Sequence, residues 1–194
     1  MSKLEANQVD PATGTTLTLG TSGDTITIPS GVTIANSGTA TGFGANTPAF
    51  LAYLSGNTTV NDNTLTKISN NTERYDTDNA YDNSSNYRFT VPSGKAGKYY
   101  LYGTSFFSGT DELYRTTLSL YVNGSAVHSV HGTNPYSGTN YGDGIYFGIA
   151  YDLSVGDYAE MYVYVDTDDG STAALKVSDT GVTNGVYFGG FKLL

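Results

Sequence analysis

From residue 48 onward the chain is a succession of short runs in which large apolar and aromatic residues recur every second position, broken by glycine. A period of two is the period of a strand, not of a helix. The closing run, Val186-Tyr187-Phe188-Gly189-Gly190-Phe191-Lys192-Leu193-Leu194, alternates in this way without a polar tail, which predicts a last strand lying inside the fold. Two other segments read as strand and turn together: Tyr87-Arg88-Phe89-Thr90-Val91-Pro92-Ser93-Gly94, and Leu153-Ser154-Val155-Gly156-Asp157-Tyr158. No long amphipathic helix is visible. The 24 Gly, 17 Tyr and 8 Phe, with only 14% charged residues, suit many short strands joined by tight turns. The expectation is an all-β antiparallel sandwich that displays loops, not a catalytic fold.

A chain of 194 residues holds one full-size domain and an appendage. The net charge is -9 and the nine Lys and Arg are scattered singly. Without a basic stripe there is nothing to neutralise a phosphate backbone, so nucleic acid is not an expected partner. No segment approaches the roughly 20 apolar residues that span a bilayer, and Met1-Ser2-Lys3-Leu4-Glu5-Ala6 lacks the apolar core of a signal peptide. The expectation is a soluble product that leaves its cytoplasm by a route other than ordinary secretion. The absence of Cys removes disulfides and thiolate metal sites together.

Composition changes near residue 44. Before it Phe43 is the only aromatic residue, and three apolar/Thr alternations follow one another: Thr15-Thr16-Leu17-Thr18-Leu19-Gly20, Thr25-Ile26-Thr27-Ile28-Pro29-Ser30-Gly31 and Val32-Thr33-Ile34-Ala35-Asn36-Ser37-Gly38. Each reads as a short strand closed by a turn, and none is long enough to bury its apolar face within one chain. Residues 1–44 are therefore expected to be an extended β arm that anchors the protein, docking through Leu17, Leu19, Ile26, Ile28 and Ile34 on copies of itself or on another protein. Residues 39–46 read as a hinge. Residues 45–194 form the head, with ten expected strands at 49–54, 64–68, 86–91, 98–107, 116–122, 125–131, 144–153, 158–166, 173–178 and 185–193.

The order of the head's segments resembles a known family. Pro48-Ala49-Phe50, Thr66-Lys67-Ile68 with Asn71 and Tyr75-Asp76, and Phe89-Thr90-Val91-Pro92 leading to Gly97-Lys98-Tyr99-Tyr100-Leu101 come first. Leu118-Ser119-Leu120-Tyr121-Val122-Asn123-Gly124-Ser125, Leu153-Ser154-Val155-Gly156-Asp157 and Tyr187-Phe188-Gly189-Gly190-Phe191-Lys192-Leu193 follow. Together these resemble the globular heads of the complement-one-q and tumour-necrosis-factor-like superfamily. The resemblance implies a ten-stranded jelly roll assembled as a homotrimer, with aromatic faces buried on the three-fold axis. On the strand from Tyr158, Met161, Val163 and Val165 share one face and Tyr162 and Tyr164 the other, and a solvent-facing row of tyrosines would be a large apolar patch. The arm, from Gly23-Asp24-Thr25-Ile26 to Gly42-Phe43-Gly44, resembles stalk or anchor segments of tailed-bacteriophage structural proteins. That likeness implies a fibre or decoration protein.

Few residues offer chemistry. His128 and His131 stand three apart in an expected strand and so point to opposite faces, against a two-histidine metal site. No Gly-x-Ser-x-Gly elbow or phosphate-binding glycine loop is present. Asp166, Asp168 and Asp169 before Gly170 offer hard oxygens to Ca²⁺, as do Asp76, Asp78 and Asp82 with Asn79 and Asn83. The other reading of both clusters is a solubilising surface. A structural calcium is the one cofactor these residues allow. The segment 131–143, with Asn134, Tyr136, Asn140 and Tyr141, carries the rigid rings and adaptable amides of a recognition loop, but turns require the same Gly, Asn and Pro. The expected function is a non-enzymatic virion structural protein, a trimeric decoration knob or short fibre on the particle surface, partnered by itself and by capsid or tail proteins. The alternative is a module that binds a receptor or a host surface glycan. Membrane insertion is not expected.

Overall fold

Residues 9, 11–38, 46–108, 113–133, 143–168, 170–177 and 185–193 are described by the computed structural model, in two units, Met1–Thr41 and Gly42–Leu194. In the second unit thirteen strand segments and no helix occur among the described residues. In chain order they are β1 (Ala49–Tyr53), β2 (Thr58–Val60), β3 (Thr66–Lys67), β4 (Thr72–Asp76), β5 (Tyr81–Asp82), β6 (Arg88–Thr90), β7 (Gly97–Ser108), β8 (Leu113–Val122), β9 (Ser125–Thr133), β10 (Asp143–Leu153), β11 (Tyr158–Thr167), β12 (Ala173–Leu175) and β13 (Tyr187–Lys192).

All pairings are antiparallel, and they build two sheets. In the first, β7 pairs with β10 from Gly97 to Phe107 on one side. On its other side β13 runs along Tyr99–Thr104 and β12 along Phe107–Ser108. Beyond β13 come β1 and β4, and beyond β12 comes β2. In the second sheet β9, β8 and β11 are neighbours, the far side of β11 takes β6 and β3, and β5 lies beyond β6. The core lies between the two inner faces. Phe50 of β1 is at its centre, stacked on Phe89 at 4.7 Å and on Tyr81 at 5.2 Å, with Phe188 edge-on at 5.1 Å. Met161, Val163 and Val165 line it from β11, as their spacing predicts.

Each of the ten expected strands overlaps an observed one, but the segments number thirteen, not ten. The additions are β2, β4 and β5. β4, Thr-Glu-Arg-Tyr-Asp, is a sheet edge, and an edge strand keeps polar residues that blur the alternation. Tyr99, inside the core, donates its hydroxyl to the Lys95 carbonyl at 2.6 Å, and burial pushes its pKa up to about 12.

The arm differs from expectation. Residues 11–38 contain no strand, and their two backbone–backbone hydrogen bonds close turns, Asp24 N to Thr21 O and Val32 N to Pro29 O. A β ladder needs a second strand to accept its bonds, and among the described residues none pairs with these segments. Leu17, Leu19, Ile26, Ile28, Val32 and Ile34 are consequently exposed, by 44 to 62%.

Candidate functional site: the outer face of the first sheet

Strand alternation sorts the aromatic residues of β7, β10 and β13 into two sets. Tyr99, Leu101, Phe107, Phe147 and Phe188 enter the core, whereas Tyr100, Tyr102, Tyr146, Tyr187 and Phe191 lie on the opposite face. Pairing brings the outer set together. Tyr100 lies 6.0 Å from Tyr102 and 5.7 Å from Phe191, and Tyr102 meets Tyr187 edge-on at 6.2 Å, all between ring centroids.

Two glycines make room for these rings. Opposite Tyr102, in register, stand Gly148 of β10 and Gly189 of β13. A Cβ on Gly189 would come within 2.5 Å of the Tyr102 ring, and one on Gly148 within 2.2 Å of the Tyr100 hydroxyl. The two tyrosines thus lie down over bare backbone, and a hollow of about 420 Å³ opens beside them, lined by Tyr100, Tyr102, Gly103, Tyr146, Phe147, Gly148 and Tyr187. Burial and a hydrogen bond with Tyr75 push the Tyr102 phenol well above its ordinary value, so it stays protonated. Tyr146 is 78% exposed, Tyr75 42% and Tyr100 38%. Such a face offers broad ring planes with hydroxyls at their rims. It is suited to a flat apolar or amphipathic partner.

The second sheet treats its outer tyrosines differently. The guanidinium of Arg88 sits 4.2 Å from the Tyr158 ring centre and that of Arg115 sits 4.8 Å from that of Tyr164. Tyr162 packs on Tyr121 at 4.4 Å, and beside them Lys67 and buried Glu160 are paired at 2.5 Å. Tyr164 also donates to Asn63. The tyrosine row on β11 is therefore not the open apolar patch expected of it. Its cover comes from residues distant in sequence, and the less covered aromatic surface is on the first sheet.

The other expected residues are placed as follows. Asn134, Tyr136, Asn140, Tyr141 and Asp169 lie outside the described residues. Asp166 is 4.0 Å from Arg115, and Asp168 accepts the Tyr114 hydroxyl at 2.5 Å. Asp76 accepts the backbone N–H groups of Asp78 and Tyr81, and Asp82 those of Ser84, Ser85 and Asn86. Among the described residues no three acidic or histidine side chains converge on a metal-sized space. His128 lies 6.1 Å from Phe147, while His131 Nδ1 is 2.9 Å from the Thr117 hydroxyl, so the two rings serve opposite faces of β9. The arm residues Leu17, Leu19, Ile26, Ile28 and Ile34 are exposed, as described above. Sequence reasoning missed Tyr100, Tyr102, Tyr146 and Tyr187; the available signal was Gly148 and Gly189 inside strands, since a strand glycine marks close approach of another group.

No protein-family model matches the chain, and no curated protein sequence does. Solved structures do. The structure of Eiger TNF from S. frugiperda aligns with a TM-score of 0.52 at 13% identity, over 75% of this chain and 90% of that one. The globular domain of zebrafish complement 1qA protein aligns with a TM-score of 0.51 at 18% identity, over 76% of this chain and 98% of that one. At these identities the likeness speaks to fold: the head is a jelly-roll sandwich of the type these complement and tumour-necrosis-factor domains share.

Proposed function

We propose that the protein is a non-enzymatic structural component of a bacteriophage particle, a homotrimeric surface knob or short fibre whose head projects outward and whose arm joins it to capsid or tail. The observation that carries this reading is that one chain leaves two apolar surfaces uncovered, the arm's six aliphatic side chains and the tyrosine face of the first sheet. A surface of that kind belongs to a subunit that is completed by assembly. The tyrosine face is the subunit interface in this reading, and the arm's resemblance to phage stalk segments supports the particle. The head's fold, shared with a tumour-necrosis-factor protein and a complement globular domain, is compatible with threefold assembly. Labelled antibody against the head is expected to decorate the surface of intact particles. Absence of the protein from purified particles, with binding of the isolated head to host cells or their polysaccharide, would instead make it a recognition module that uses the tyrosine hollow for a sugar ring.

A further inference from the structure

The arm is a repeat. Thr16-Leu17-Thr18-Leu19 leads to Ser22-Gly23, Thr25-Ile26-Thr27-Ile28 leads to Ser30-Gly31, and Val32-Thr33-Ile34 leads to Ser37-Gly38. Each unit offers alternating aliphatic and threonine side chains and then closes on a hydrogen-bonded turn. At the first turn Asp24 N donates to Thr21 O, and the Asp24 carboxylate takes both the Thr21 N–H and its hydroxyl, at 2.7 and 3.0 Å. At the second, Val32 N donates to Pro29 O, and at the third Gly38 N donates to the Asn36 side chain at 3.0 Å. Gly23 and Gly31 take the left-handed backbone that these turns need, at φ 93° and 82°. The punctuation is thus present in one chain, while among the described residues the ladders between turns are missing.

We infer that the arms of three copies of this chain pair with one another and form a threefold β stalk, with Leu17, Leu19, Ile26, Ile28, Val32 and Ile34 as its shared core. The inference rests on the homotrimeric reading of the head. A repeat unit too short to bury its own face becomes stable when equal units stack against it. Packing identical chains in register sets each residue beside its own copies, which favours Thr, Ile and Leu and penalises like charges. Between residues 11 and 38 the only ionisable side chain is Asp24, and its carboxylate is already held by Thr21. Tethering decides between this partner and a foreign one. Three arms attached to one trimeric head meet at an effective concentration on the order of millimolar, before any other protein is encountered.

The test is hydrogen exchange with mass spectrometry on the purified full-length protein, alone in solution, beside sedimentation of the same sample. Expected is a trimer in which amides between residues 16 and 37 exchange about a hundredfold or more slowly than in a free chain. In an I26S/I28S/I34S variant that protection is expected to vanish while the protein still sediments as a trimer. A trimer whose wild-type arms exchange as fast as the variant's would overturn the stalk and leave the trimeric head standing. A monomer would overturn both.

Discussion

At the scale of single residues, the sandwich depends on side chains that are missing as much as on those present. Gly103 of β7 faces the core, where an added Cβ would lie 2.4 Å from the Met161 sulfur and 2.9 Å from the Phe147 ring. Both neighbours are buried and have little room to retreat. Gly103→Ala is therefore expected to destabilise the head by about 1–3 kcal/mol, the range for overpacking a filled core, visible as a lower urea midpoint at unchanged slope. Gly189 is the informative contrast. Its missing Cβ is occupied by the Tyr102 ring, which lies on the outer face and can swing away. Substitution there disturbs the shape of that face more than the stability of the fold.

At the scale of elements, the turn between β5 and β6 shows how a polar connection is held. The Asp82 carboxylate collects the N–H groups of Ser84, Ser85 and Asn86 together with the Asn86 amide, and these donors hold its pKa well below the ordinary carboxylate value of 3.8. A pKa that is lower when folded adds stability above the unfolded value and loses it as pH falls through the folded one. Melting temperatures followed from about pH 6 to about pH 2 should drop in the wild type below about pH 4, and Asp82→Asn should lower the plateau and flatten that drop. An equally steep acid limb in the variant would assign it to other carboxylates. Elements of this kind were only partly legible in the sequence. The long strands β7 to β11 were readable because their alternation is strong and their ends are marked by pairs such as Asn123-Gly124 and Gly156-Asp157. β4 and β5 were not: β4 is polar at a sheet edge, and β5 is only two residues long, too short to show an alternation. Nor was the contrast between the two tyrosine faces. Alternation tells that a strand has two faces, but only strand pairing brings Arg88 over Tyr158 or Arg115 over Tyr164 and leaves Tyr146 bare.

At the scale of the whole molecule, the head carries an aromatic core after residue 48, and no described residue of the arm is buried. A chain lacking residues 1–44 is accordingly expected to remain folded and to sediment as a trimer. In that background Tyr146→Glu should give a folded monomer, because it sets a carboxylate from each copy on the tyrosine face without touching the core. A truncated head that is folded yet monomeric before any substitution would move the interface from the sheet to the arm.

One feature of the first sheet reaches beyond the finished protein. β13, the final strand, lies between β7 and β1, two strands made much earlier. During synthesis β1, which gains β4 early on one side, must therefore wait for its other neighbour through all the chain from residue 54 to residue 186, on the order of ten seconds at common translation rates. Through that interval the nascent chain carries Phe50, joined midway by Leu101, without the strand that pairs beside both. Premature termination before residue 187 would leave a sheet with an open seam at its centre, and such fragments should partition to chaperones or aggregates, not to smaller folded heads.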